Sequence, residues 1–211
     1  MRKSEGRSAA PFIPAERSKT ALREAVQRCR GCDLYLHATQ GVFGVGPKSA
    51  RIVFVGEQPG NEEDLQGLPF VGPAGKLFDR ALSDAGIDRA RVYVTNMVKH
   101  FKFEERGKRR IHKKPGSVEV NACRPWLEVE IDMIEPKVIV CLGATAAQGI
   151  LGRQFRLTVD RGKPLEHSLA PYVVATVHPS AILRMPEPPL REAEYARLVA
   201  DLKKVRDLAQ D

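Results

Sequence analysis

Arg51-Ile52-Val53-Phe54-Val55-Gly56 is an unbroken apolar run that stops at Glu57-Gln58-Pro59-Gly60. A strand covered by helices on both faces reads this way, because neither face alternates with polar residues. Three later stretches have the same character: Arg91-Val92-Tyr93-Val94-Thr95-Asn96, Lys137–Leu142 and Tyr172–Val177. Helical patterns separate and flank them. Glu16 to Arg28 carries the stripe Ala21, Leu22, Ala25, Val26, and Gly72 to Gly86 carries Ala74, Leu77, Phe78, Ala81, Leu82. Ser117 is placed to cap a helix to about Ile134, ahead of Pro136; Gly143–Leu151 is a short helix. Leu190–Leu208 is a long one, with stripe Ala193, Ala196, Val199, Leu202, Val205. Strands alternating with helices predict one α/β domain over residues 15–211, a mostly parallel central sheet with helices on both faces. Residues 1–14 are polar and proline-containing and read as a flexible lead-in.

In such sheets ligands bind beyond the carboxyl ends of the strands. The residues just past the four strand ends are Glu57 with Gln58, Asn96, Gly143 with Thr145, and His178, so polar groups distant in sequence converge on one crevice. Asn96 offers a paired donor and acceptor. Phe70, in Gly67-Leu68-Pro69-Phe70-Val71-Gly72, offers a flat face, and Glu57 and His178 are titratable. Each has a plainer reading: a turn asparagine, a core phenylalanine, a surface carboxylate, a structural histidine. An amide, an aromatic face, a histidine and a nearby phosphate clamp together suit a nucleobase site.

The clamp is Lys108-Arg109-Arg110-Ile111-His112-Lys113-Lys114. Residues 99–114 hold eight Lys/Arg against Glu104 and Glu105, with no helical or strand-like apolar period, and read as a long exposed loop. A solvated charge run is the bland alternative. Net charge is +8, which favours a polyanionic partner. No apolar run spans a membrane and no hydrophobic signal core is present, so a cytoplasmic protein is expected, monomeric by default. Cys29 and Cys32 form a C-x-x-C pair, and Cys123 and Cys141 stand 18 positions apart. Spacing alone leaves a metal or cluster site and unligated core cysteines equally open.

Gly56-Glu57-Gln58-Pro59-Gly60 and His178-Pro179-Ser180-Ala181-Ile182-Leu183-Arg184 resemble the two signature motifs of the uracil-DNA glycosylase superfamily. The iron–sulfur family 4 is the nearest branch, and within that neighbourhood the X class. Gly67–Gly75 and Thr95–Lys102 fit as well, and the four cysteines match the family's [4Fe–4S] ligand pattern. Family 4 usually has Ala where Gln58 stands and lacks the Lys108–Lys114 insertion; the X class resembles this chain in both respects. That class becomes covalently attached to uracil-containing DNA through the histidine that His112 matches.

The resemblance implies excision of uracil from DNA, single strands preferred, followed by a bond between His112 and the sugar C1′. It implies that Asn96, Phe70, Gly56 and His178 hold uracil, and that His178 stabilises the leaving anion. Glu57 orients His112 or positions water, while Gln58 holds the loop closed and Arg110 anchors it. Lys99, Lys108, Arg109, Arg110, Lys113 and Arg184 contact DNA. Cys29, Cys32, Cys123 and Cys141 hold a structural cluster. The rivals are a conventional water-using glycosylase and a non-catalytic iron–sulfur DNA-binding protein. A nucleotide-cofactor enzyme is disfavoured, because Glu-Gln-Pro-Gly is not a glycine-rich phosphate loop.

Overall fold

The computed structural model describes residues 7–210. Its strands are β1 (Ile52–Gly56), β2 (Tyr93–Asn96), β3 (Phe103–Arg106), β4 (Arg109–His112), β5 (Val138–Leu142), β6 (Leu165–His167) and β7 (Ala170–Thr176). Its helices are α1 (Lys19–Val26), α2 (Asn61–Gln66), α3 (Pro73–Asp84), α4 (Ser117–Ile134), α5 (Ala144–Leu151), α6 (Leu157–Asp160), α7 (Pro179–Leu183) and α8 (Pro188–Gln210).

The central sheet has the order β2-β1-β5-β7-β6. β2, β1, β5 and β7 are parallel, and only the edge strand β6 runs antiparallel, to β7. The four runs read as buried strands are these four parallel strands, and β1, β2 and β5 are buried at every position. Helices cover both faces as expected. Leu22 of α1, Trp126 of α4 and Ala146 of α5 pack on one face; Phe78 of α3, Ile182 of α7 and Leu198 of α8 pack on the other. No helix among the described residues is long and apolar enough to cross a membrane.

Several expectations need correction. The basic stretch is a hairpin rather than a loop: β3 and β4 pair in register Phe103↔His112 through Arg106↔Arg109 around a two-residue turn. Gly107 sits there at φ 59°, the left-handed conformation such turns require. Apolar alternation did not reveal it because its strands are held by aromatic and charged neighbours. The lead-in is not loose as far as residue 14, since Ala9 is buried and its N–H donates to the Ala122 carbonyl at 2.7 Å. Residues 1–6 lie outside the described residues. The cap of α4 is Gly116, not Ser117; the Glu119 carboxylate takes the Gly116 N–H at 2.7 Å. The buried face of α8 is Leu198, Asp201, Leu202, Val205 and Ala209, and Ala193 and Ala196 are exposed. Asp201 is tolerated there because Arg161 and Thr176 both donate to it.

Candidate active site

The parallel strands end on one side of the sheet, and the turns leaving those ends meet in a cavity of about 790 Å³. Glu57, Phe70, Asn96, His112, His178 and Arg184 line it. β1 delivers Glu57, β2 ends on Asn96, and β7 feeds the turn that carries His178. Glu63 of α2 holds two of these loops in place by accepting the N–H groups of Gly60 (3.0 Å) and Gly72 (2.8 Å).

Gly56 makes the floor possible. A Cβ there would lie 2.3 Å from Asn96 Oδ1 and 2.9 Å from Phe70 Cζ, so only a bare backbone lets the amide and the ring close over β1. Phe70 adopts φ 59°, a conformation that costs a non-glycine residue on the order of 1–2 kcal/mol. It is locked there by Phe78, with centroids 5.2 Å apart, and by Gly75, where any side chain would strike the Phe70 carbonyl. Asn96 is 3% exposed, and its side-chain amide has no hydrogen-bond partner among the described residues, although its backbone carbonyl accepts from Lys99 Nζ at 2.8 Å. A buried amide left open toward a cavity is poised to bond a ligand.

His178 lies nearly parallel to Phe70, centroids 6.0 Å apart. Its Nδ1 accepts the Ser180 N–H at 3.1 Å, which leaves the ring proton on Nε2 as a free donor. Burial, then the positive charge of Arg184, lowers its pKa to about 4. His178 is therefore a neutral donor at physiological pH. Arg184 also donates to Ser180 Oγ at 3.1 Å, steadying the same turn.

The hairpin brings His112 over the opposite rim. Gln58 clamps its base: Nε2 donates to the Lys102 and Lys113 carbonyls (3.1 and 3.0 Å), and Oε1 accepts the Lys102 N–H at 3.1 Å. Arg110 anchors its flank. Its guanidinium donates to Asp64 at 2.6 Å and to Asn61 at 2.8 Å, and lies over the rings of Phe101 and Phe103. His112 packs 6.0 Å from Phe101, and its Nε2 faces Glu57 Oε1 at 3.5 Å. Burial lowers the His112 pKa; Glu57 opposes this and Arg184 adds to it, leaving a net depression. The other Glu57 oxygen accepts the Thr145 hydroxyl. One carboxylate thus joins the first turn of α5 to the hairpin histidine.

A profile described as the uracil DNA glycosylase superfamily matches residues 43–203. The chain belongs to the uracil-DNA glycosylase superfamily. A Type-4 uracil-DNA glycosylase of Thermotoga maritima is 40% identical over 187 residues, covering 88% of this chain and 91% of the relative. That of Archaeoglobus fulgidus is 41% identical over 191 residues, covering 87% and 89%. A DNA polymerase of Bacillus phage SP01 is 30% identical over 145 residues, 68% of this chain and 15% of the polymerase.

The cations assigned to DNA in this glycosylase divide. Lys108, Arg109 and Arg184 are exposed. Lys113 pairs with Glu104 at 2.5 Å, and Arg110 is consumed by its anchor on Asp64. Lys99 is completely buried: its Nζ donates to Glu130, Thr95 and the Asn96 carbonyl, so it supports the floor of the site and cannot reach a phosphate. Along the chain these lysines and arginines form one patch, because the carboxylates that neutralise Arg110 and Lys99, Asp64 and Glu130, lie far away in sequence.

The cysteines also divide. All four are buried. Cys29 and Cys32 lie close enough to Cys123 to help raise its thiol pKa, and Cys29 helps raise that of Cys32; Cys141, in mid-strand between Val55 and Ala175, is pushed up to about 12 by burial alone. Two of the three receive N–H donors on sulfur, from Trp126 Nε1 to Cys29 and from the Lys99 amide to Cys123, both at 3.2 Å. Such bonds suit a thiolate bound to iron. No three His, Cys, Asp or Glu side chains among the described residues converge as for a single ion. The ligands of a four-iron cube stand farther apart than those of one ion, so three coupled thiols still fit one. For a fourth donor the chain offers His100, which is buried, follows Lys99 directly, and has no hydrogen bond to its ring among the described residues. Cys141 belongs instead to the sheet core.

Proposed function

We propose that this glycosylase excises uracil from DNA, and that His112 then captures the sugar, leaving protein and DNA covalently joined. The observation that carries the reading is the pairing, across one cavity, of an open base-reading amide with a neutral histidine on an anchored hairpin. Uracil presents O4 and N3–H to the Asn96 amide, which has one donor and one acceptor to match, while Phe70 stacks on the ring. As the C1′–N1 bond breaks, its electron pair leaves on uracil, and His178 Nε2–H stabilises the resulting anion at O2. A neutral donor is the right choice, since it stabilises charge without surrendering a proton.

The sugar is left electron-poor at C1′. A neutral imidazole is a better nucleophile than water, and the hairpin holds it at the site, so proximity favours a bond from the His112 lone pair to C1′. The ring becomes cationic beside Glu57 and loses its N–H proton to that carboxylate or to solvent. With the base gone and a poor leaving group on the sugar, the adduct persists. Extruding a base costs a few kcal/mol in a duplex and least in a single strand, which sets the expected substrate preference. Cys29, Cys32 and Cys123, with His100, hold a [4Fe–4S] cluster whose contribution is to tie the N-terminal segment and α4 to the strand end that carries Asn96.

One observation favours a second reading. The Glu57–His112 distance of 3.5 Å is long for a hydrogen bond, and the His112 side chain is 50% exposed, which leaves room for a water activated by Glu57. A denaturing gel separates the two. Protein is incubated with a uracil-containing single strand, boiled in SDS and assayed for free uracil, beside thymine DNA and His112→Ala. A boil-resistant band requiring both uracil and His112 is expected. Repeated uracil release without a band would establish the water-using enzyme.

A further inference from the structure

Beside the uracil cavity lies a second, of about 460 Å³, which shares Lys114 and Thr145 with it. Its charged lining is Lys114, Arg124 and Arg153, without a single carboxylate, and Ser117 and Asn121 add neutral polar groups. Arg124 is partly neutralised by Glu128 at 2.8 Å, but Lys114 and Arg153 have no ion-pair partner among the described residues. A concavity with net positive charge and no internal anion is unsatisfied as it stands. Pro115, Val120 and Ile150 add apolar lining.

We propose that this groove carries the DNA strand on one side of the flipped uridine, with Lys114 and Arg153 each neutralising a phosphate. The inference rests on the uracil-excision reading. A strand whose base enters the first cavity must cross its rim in both directions. Arg184 stands on the rim, and Lys114 is the cation common to the two cavities. Through Lys114 the backbone reaches a groove in which Arg153 meets the next phosphate, sugar and base edges lie on Val120 and Ile150, and the Asn121 amide bonds whatever base comes next. Such contacts give affinity without sequence preference.

The test measures binding and chemistry separately. Affinity is read by fluorescence anisotropy for thymine and uracil single strands that extend only 5′ or only 3′ from the central base, from 50 to 200 mM salt. Wild type is compared with a Lys114→Ala/Arg153→Ala double variant. Losing two phosphate contacts makes the log–log salt slope less negative by about 1.4, so the variant loses about sevenfold less affinity than wild type across that range. This difference is expected on probes with one of the two flanks and not on the other. Arg153→Glu should weaken binding further and Arg153→Lys should restore it, provided melting temperatures match. An unchanged slope on every probe, or an equal change on both flanks, overturns the groove. Uracil release by the wild type is assayed in parallel: its absence would sink the excision reading while the thymine-strand result still judges the groove.

Discussion

Arg110→Ala should separate covalent capture from base excision. Arg110 does not touch the base; it fastens the hairpin to α2 through Asp64 (2.6 Å) and Asn61 (2.8 Å) and covers Phe101 and Phe103. Hydrogen bonds with a charged partner are worth roughly 1.5–3 kcal/mol each, and a partly exposed cation over a ring about 0.5–1 kcal/mol. These do not add in full, and Asp64 keeps its bonds to the Thr39 amide and hydroxyl, so about 2–4 kcal/mol of hairpin docking is lost. At 1.4 kcal/mol per tenfold, the docking constant falls roughly 30- to 700-fold. Asn96, Phe70 and His178 stand on the sheet and its own loops, so uracil recognition survives. Single-turnover time courses followed by denaturing gel and by uracil release should show adduct formation slowed by one to three orders of magnitude, with uracil release far less affected. Arg110→Lys, which keeps the charge but not the fork, should fall between. Adduct and release slowing in step, or adduct formation within threefold of wild type, would refute the anchoring role.

Three further outcomes are expected. Gly56→Ala places a methyl 2.3 Å from Asn96 Oδ1 and 2.9 Å from Phe70, so uracil release should fall by at least a hundredfold; a variant with near-normal release would show that the floor relaxes easily. His178 has its folded pKa lowered from 6.5 to about 4, so the unfolded chain binds the extra proton first: its contribution to stability is complete above about pH 6.5 and is lost as pH falls toward 4. Melting temperature should decline over that window, whereas excision of uracil should hold between pH 8 and 6; a loss of excision centred near pH 6.5 would contradict a neutral-donor His178. Cys29→Ala should lose iron and visible absorbance and melt lower, while Cys141→Val should keep both iron and colour; equal iron loss from both variants would return Cys141 to the ligand set.

Much of the site was legible because its logic is local. A run that is apolar on both faces marks a buried parallel strand, and the residue after such a strand points into the crevice by the rule of the fold, which located Glu57, Asn96 and His178. Resemblance alone points to Gln58 and Arg110 as supports of the hairpin, and no sequence pattern names their partners, Lys102, Lys113, Asp64 and Asn61. Thr145 was noted past a strand end, yet nothing in the sequence connected its hydroxyl to Glu57, 88 positions away.

What the sequence determined by itself was the layered fold, the order of the loops over the sheet and the identity of the groups that face the cavity, since apolar period and turn chemistry act over a few residues. Only the tertiary structure decided which charges remain available. Lys99, Arg110 and Lys108 read alike in the chain, but one is buried against Glu130, one is fixed to Asp64, and one stands in solvent. The same holds for the thiols, where Cys123 joins the C-x-x-C pair and Cys141 disappears into β5. A charge or a thiol takes its role from the partner that neutralises or shares it, and that partner is chosen by packing between segments far apart in sequence.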